Sequence, residues 1–389
     1  MTDKSSSVII ETLDAKKLKI GVMTLNAEKT LNSLNLEMVR IISAQLKTWA
    51  SDDSISVVIL KGAGKKAFCA GGDVQQLYQS AIQTPGGPCD YAESFFLEEY
   101  RLNYQIHRYQ KPVICLGSGI VMGGGLGLMA GASHRVASDT TRISMPEITI
   151  GLFPDVGGTW FLNKMPRGLG IFFALSGASI NANDALYTGL ADVVVPAKQQ
   201  EDLIPKLLEQ SWSHSIDENH TLATSVLNAL AMSTHTLNQE FPSEVQAHLN
   251  FLENACQQTS LGEIKAALLA PPAQDQDSKW ITRALSTMES GSPLSSLIIF
   301  EQLKRYRYAS LELVFESELS LATNCVRHPE FAEGVRALLI DKDNNPQWKY
   351  AHFSEIPSSL FDQFFAAPWP VNPFTESLNE RSQETVECS

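Results

Sequence analysis

Three glycine-bearing turns, each entered from a short strand-like run and left through a helical segment, constrain this chain more than any other feature. The first is Lys66-Ala67-Phe68-Cys69-Ala70-Gly71-Gly72-Asp73, between a strand expected over residues 56–61 and a helix starting near Val74. The second is Gly117-Ser118-Gly119-Ile120-Val121-Met122-Gly123-Gly124-Gly125-Leu126-Gly127, between a strand over 112–116 and a helix over about 124–130. The third is the loop 147–158, which follows strand-like runs at 135–138 and 142–145 and leads into a helical segment at 159–164. Strands at 8–13 and 19–25, with apolar residues at helical spacing over 34–50, carry the same alternation back to the start. Such alternation specifies an α/β fold. The turns share no internal sequence repeat, and no tract is of low complexity.

After Pro196 the texture changes to helical periodicity, as at 203–212, 244–256 and 295–303. The expected organisation is therefore an α/β core over 1–198, a largely helical region over 199–356, and a tail over 357–389, partly docked and partly disordered. With 43 Asp and Glu against 30 Lys and Arg, the net charge is -13. That balance argues against a nucleic-acid partner but leaves room for a small anionic ligand held by local cations and backbone amides. The six cysteines lie far apart without a CxxC pair and read as reduced thiols, and the eight histidines show no HxH or HExxH spacing, so no metal is expected. The polar start over residues 1–7 shows no apolar signal core and no Arg-rich transit segment, which points to a cytoplasmic location, the alternative being an organellar chain already trimmed of its presequence. No run approaches the roughly 18 apolar residues of a membrane span.

Two adjacent glycines at a helix entrance let backbone N–H groups approach a ligand oxygen. The plain alternative for the first turn is a tight turn capped by Asp73. In the second, Gly117-Ser118-Gly119 with Asp139 about twenty residues on imitates a dinucleotide fingerprint, but Met122 stands where its third glycine belongs. In the third, Glu147 and Asp155 lie eight residues apart among apolar residues and glycines, a setting for acid/base or nucleophilic work. The alternatives there are a solvated Glu147 and an Asp155 that caps the following helix. A nucleophile elbow GxSxG is absent, which argues against an ordinary serine thioesterase.

Taken in order, Lys66–Asp73, then Met122-Gly123-Gly124-Gly125-Leu126-Gly127, then Met145-Pro146-Glu147 with Gly151-Leu152-Phe153-Pro154-Asp155-Val156-Gly157-Gly158, resemble the crotonase (enoyl-CoA hydratase/isomerase) superfamily. The likeness runs on through residues 181–195. Ser292-Pro293 and Phe331-Ala332-Glu333-Gly334-Val335-Arg336-Ala337-Leu338-Leu339-Ile340-Asp341-Lys342-Asp343, with Pro346 and Trp348, look like its 3-hydroxyisobutyryl-CoA hydrolase branch. The resemblance covers about residues 8–355. It implies a crotonase (ClpP-like) spiral of ββα repeats with a largely helical C-terminal region.

The same resemblance implies an acyl-CoA substrate, no cofactor beyond the CoA of that substrate, and no metal. It makes the amides of Gly72 and Gly124 an oxyanion hole and puts backbone groups of Ser33, Ala70 and Val74 near the CoA adenine. Glu147 and Asp155 become the working carboxylates, and Glu99 a substrate-contacting residue that meets the 3-hydroxyl group; the alternative for Glu99 is a solvated helix position. A hydratase holds its water with two glutamates, and the first of those positions is Gly127 here. The implied reaction is hydrolysis of (S)-3-hydroxyisobutyryl-CoA, with a hydratase or isomerase and a non-catalytic acyl-CoA-binding protein as rivals. Members of the superfamily often assemble as trimers or hexamers, so a homo-oligomer is among the expectations, with the longer C-terminal region able to cover those faces.

Overall fold

Strands β1 (Val8–Asp14) and β2 (Lys19–Leu25) form an antiparallel pair in which Val8 faces Leu25 and Asp14 faces Lys19. The helix Leu36–Ala50, started by Asn35, whose side chain accepts the Met38 N–H, then carries the chain across to β3 (Ile55–Gly62), parallel to β2. A parallel neighbour requires such a crossover. From there each strand-strand-helix passage gives one strand to each of two sheets. β3, β5 (Val113–Gly117), β7 (His134–Ala137) and β9 (Val193–Val194) extend the large sheet in the order β1-β2-β3-β5-β7-β9. The three-residue strands β4 (Ala67–Cys69), β6 (Ile120–Met122) and β8 (Arg142–Ser144) form a second, parallel sheet. This is the expected ββα spiral, in a computed structural model that describes residues 6–376. β4 and β6 lie inside the glycine-rich motifs and are too short to show a period of two.

The chain divides into two compact units, each visited three times: one takes residues up to 72, 105–144 and 179–248, the other 73–104, 145–178 and 249 onward. In the first, alternate residues of the large sheet (Ile20, Val22, Val57, Ile59, Ile114 and Val136) meet Leu203, Leu207, Trp212, Ala223 and Leu227. Those last five lie on or beside the helices Ala197–Leu208 and Ile216–Leu230. A boundary at 198 therefore differs from the observed division, because one apolar face of the sheet must be covered and these two helices cover it.

The second unit is helical. Its segments include Val74–Gln83, most of Asp90–His107, Gly158–Asn163, Gly170–Ser176, Pro293–Arg305, Leu311–Arg327 and Pro329–Val335. The boundary expected at 356 differs too. The helix Ser358–Phe365 belongs to this unit, Phe374 is fully buried, and Asn372 donates to the Glu316 carbonyl at 3.0 Å. The end of the expected tail, 377–389, lies outside the described residues. Cys69, Cys89, Cys115, Cys256 and Cys325 are free thiols, and Cys388 is outside the described residues. Among the described residues no helix is long and apolar enough to cross a membrane.

Candidate active site

In the first unit β4 brings Ala70, Gly71 and Gly72 alongside residues 31–34. The Ala70 N–H donates to the Leu31 carbonyl at 3.1 Å and the Leu34 N–H to the Gly71 carbonyl at 2.8 Å. Buried Asn32 fixes that segment: its amide nitrogen donates to the carbonyls of Ala63 (2.9 Å) and Ala67 (3.0 Å), and its oxygen accepts the Ala27 N–H at 3.0 Å. Ser33, Ala70 and Gly72 thus fall together. Gly124 adjoins them, since a Cβ placed on Gly71 would stand 3.8 Å from the Gly124 nitrogen.

Gly124 opens the helix Gly124–Gly131, where first-turn N–H groups lack intrahelical acceptors. Gly125 cannot carry a side chain, because a Cβ there would lie 2.4 Å from the Cys69 carbonyl oxygen. The missing side chain lets the helix start lie against β4. Gly117-Ser118-Gly119 leads into β6 rather than into a helix, so the dinucleotide reading fails on geometry.

The carboxylates belong to the second unit. Glu99 sits on the helix Asp90–His107, Glu147 starts a 3-10 turn over Glu147–Ile150, and Asp155 precedes the helix Gly158–Asn163. They are 2%, 6% and 5% exposed, which overturns the solvated alternatives for Glu99 and Glu147. The Glu147 turn closes at Gly151, with φ 68° and its N–H donated to the Glu147 carbonyl. A Cβ at that glycine would stand 2.6 Å from the Glu330 carbonyl oxygen. Ser292 braces the same turn: its N–H donates to the Ile148 carbonyl at 3.0 Å and its hydroxyl to the Glu330 carboxylate at 2.5 Å.

Asp155 does not cap the next helix with its side chain. Its carboxylate accepts the Tyr100 hydroxyl at 2.5 Å, while its backbone carbonyl accepts the Gly158 N–H at 2.7 Å. The capping is done by Glu318, fully buried, which accepts the Gly157 N–H at 2.7 Å and the Thr159 N–H at 2.9 Å. In the first motif, by contrast, the aspartate does cap. Asp73 accepts the Gln76 N–H at 3.3 Å and starts the helix Val74–Gln83, which places Val74 at its first position.

Burial dominates the electrostatics. It pushes the carboxyls of Glu99 and Glu147 well above the ordinary range; the charge of Asp155 adds to both, and that of Glu147 adds to Glu99. Asp155 is pushed up by burial to about 6, held from rising further by the Tyr100 hydroxyl. Burial also raises Glu318, to about 8, against the lowering effect of the groups it accepts from Gly157 and Thr159. Glu99 Oε1 and Glu147 Oε2 are buried with no hydrogen-bond partner, as are both amide atoms of Asn103, one helical turn beyond Glu99. Buried polar atoms without partners are uncommon in folded proteins and mark places where a ligand can supply them.

Tyr100, Asn103 and Glu318 escaped the sequence reading. Tyr100 stands directly after Glu99. Glu318 had a visible signal, since it occupies an apolar stripe with Val314 and Ala322 at spacings of four on Leu311–Arg327. A carboxylate on such a stripe needs a partner.

The enoyl-CoA hydratase/isomerase family model matches residues 20–365. The chain belongs to that family. A curated relative from Danio rerio, named 3-hydroxyisobutyryl-CoA hydrolase, mitochondrial, is 37% identical, with 94% of this chain and 91% of the relative covered. The relative of the same name from Homo sapiens is 35% identical, with 94% and 89% covered. Two solved family members share the fold over their whole lengths. A carnitinyl-CoA dehydratase from Mycobacterium thermoresistibile superposes with TM-score 0.80 at 31% identity, covering 94% of this chain and 98% of that one. An enoyl-CoA hydratase from Rhodobacter sphaeroides 2.4.1 gives TM-score 0.79 at 30% identity, covering 93% and 98%.

Proposed function

We infer that this chain hydrolyses the thioester of 3-hydroxyisobutyryl-CoA to 3-hydroxyisobutyrate and CoA, a step of valine breakdown. The observation that carries this reading is the buried pair Glu147 and Asp155, together with Gly127, which offers no carboxylate at the position where a hydratase has its first glutamate. The names of curated relatives over nine-tenths of the chain support it.

In this reading the Gly72 and Gly124 amides receive the thioester oxygen as it gains negative charge, an effect worth about 3 to 4 kcal/mol per donor in other enzymes. Glu147 attacks the carbonyl carbon, the C–S bond breaks, and the departing sulfur takes a proton; water then opens the mixed anhydride and restores Glu147. In a second route through the same atoms Glu147 takes a proton from water, which attacks directly. Hydroxylamine trapping of an acyl group on Glu147 separates them. Asp155 holds Glu147 or the water and shares its proton, so the two titrate as a coupled pair. Glu99, buried and with one carboxyl oxygen lacking a partner, is suited to exchange hydrogen bonds with the 3-hydroxyl. Ser33, Ala70 and Val74 meet the adenine through backbone groups, and the reaction uses no cofactor or metal.

The rival is hydration, the two solved relatives being a carnitinyl-CoA dehydratase and an enoyl-CoA hydratase. Free-thiol release from 3-hydroxyisobutyryl-CoA, with crotonyl-CoA absorbance followed in parallel, decides between them. Thiol release with crotonyl-CoA left intact supports the hydrolase; crotonyl-CoA hydration without thiol release sinks it. A cytoplasmic location and a homo-oligomer are part of the proposal, tested by cell fractionation and sedimentation. Both curated relatives are named as mitochondrial.

A further inference from the structure

Asp155-Val156-Gly157 is a strained turn. Val156 has φ 54°, in the left-handed region where a β-branched side chain is a genuine outlier. Gly157 follows at φ 86°. A conformation of this kind is strained and persists only where surrounding groups over-determine it. Here they can be named. Glu318 accepts two backbone N–H groups immediately after the strained residue, from Gly157 and Thr159. Gln302 donates to the Thr159 hydroxyl at 3.2 Å and accepts from Ser317 at 3.1 Å, tying the same segment to the helix Pro293–Arg305 and back to the helix that bears Glu318. Before the strained residue, the Tyr100 hydroxyl takes the Asp155 carboxylate.

Tyr100 is itself fully buried, with ring centroids 5.9 Å from Phe96 and 6.0 Å from Phe315. Its ring has little freedom to follow a carboxylate that moved. The turn is thus gripped on both sides of Val156, once through its backbone and once through the carboxylate.

We propose that Glu318 and Tyr100 are positioning residues of the hydrolase, a clamp that forces Val156 into the left-handed region so that Asp155 faces its reaction partners. Glu318 acts through the backbone of the turn and Tyr100 through the Asp155 carboxylate. The inference rests on the hydrolase reading, and wild-type activity keeps the two apart: no thiol release by wild type overturns that reading, whereas changes in the variants bear on the clamp.

Glu318→Gln keeps the shape but supplies one acceptor and turns an NH2 toward the second amide. It should lower kcat for thiol release at least tenfold with KM within about twofold, because the loss falls on the transition state. Val156→Gly in the same background removes the strain that the clamp must hold and should restore most of kcat. Tyr100→Phe provides an independent arm that removes one hydroxyl and keeps the ring. The titratable groups facing Asp155 are Glu99, Tyr100, Glu147, Glu318 and Cys325. Of these the Tyr100 hydroxyl favours ionised Asp155, so its removal should lower kcat and move the acid limb of the kcat profile to higher pH. The clamp is overturned if Glu318→Gln keeps kcat within twofold, or if Val156→Gly fails to restore it. Should Glu318→Gln fail to fold, Tyr100→Phe decides: an unmoved acid limb overturns the proposal, and an upward shift with lower kcat supports it.

Discussion

The two units offer opposite kinds of chemistry. The first presents backbone: turns at 70–72 and 123–125, where the groups on offer are peptide amides and a Cβ on Gly125 would press into the Cys69 carbonyl. The second presents side chains: Glu99, Glu147, Asp155 and Glu318, held away from water by helices drawn from distant parts of the sequence. Backbone donors need only a tight turn, so their whole signature is local. Buried carboxylates need walls and partners, and those are supplied by residues such as Tyr100, Ser292 and Glu330.

That contrast can be broken at several points. The largest loss is expected from Glu147→Gln, which keeps volume and removes the oxygen proposed to attack the carbonyl or take the proton of water. Thiol release should fall by about 10²- to 10⁴-fold, the range for a positioned acid/base group, with the fold unchanged by circular dichroism. Next comes Gly125→Ala in the first unit. Its Cβ would meet the Cys69 carbonyl at 2.4 Å, displacing the helix start that carries Gly124. The expected loss is about 10²- to 10³-fold in kcat, as for one missing oxyanion donor, accompanied by a lower melting temperature.

A smaller effect sharpens the comparison through pH. Glu99, Glu147, Asp155 and Glu318 all have raised folded-state values, with Asp155 at about 6 and Glu318 at about 8. Above the ordinary carboxyl range the folded chain keeps protons that the unfolded chain has released. Stability is therefore greatest at the acid end of the window and declines as pH rises from about 4 to 8. Denaturant midpoints measured across that window should fall with pH in wild type and fall less steeply in Glu318→Gln. A steeper or equal slope in the variant would contradict the assignment.

The smallest effect is expected at Arg327, whose guanidinium takes both oxygens of Glu93 at 2.7 Å on the partly exposed side of the second unit. Arg327→Ala should cost about 1 kcal/mol, given the exposure of the pair. It should leave kcat near the wild-type value, separating general support of the unit from support of its carboxylates.

How far the sequence could be read follows from the same division. The strands of the large sheet and the three glycine turns were legible because each is a local pattern of period, turn residue and helix entrance. Glu147 and Asp155 were legible as candidates from their apolar neighbours, but their burial and the roles of Tyr100 and Glu318 were not. Glu318 lies some 160 positions from the turn it caps, and no local pattern records such a bond. The segments at 292–293 and 331–343 carried a likeness without a reason. The structure supplies part of one: Ser292, with Glu330 just before the second segment, braces the turn that bears Glu147. The expected boundary at 198 differed because a sheet's need for a covering layer is a property of the assembled chain.

The central claim is that Glu147 and Asp155 act as one unit, and a double-mutant cycle tests it most directly. Single-turnover thiol release from 3-hydroxyisobutyryl-CoA would be measured for wild type, Glu147→Gln, Asp155→Asn and the double variant. Residues that share one task are strongly non-additive, so the double variant should be no slower than Glu147→Gln alone. Losses that multiply, with Asp155→Asn costing as much in the Glu147→Gln background as in wild type, would contradict the account.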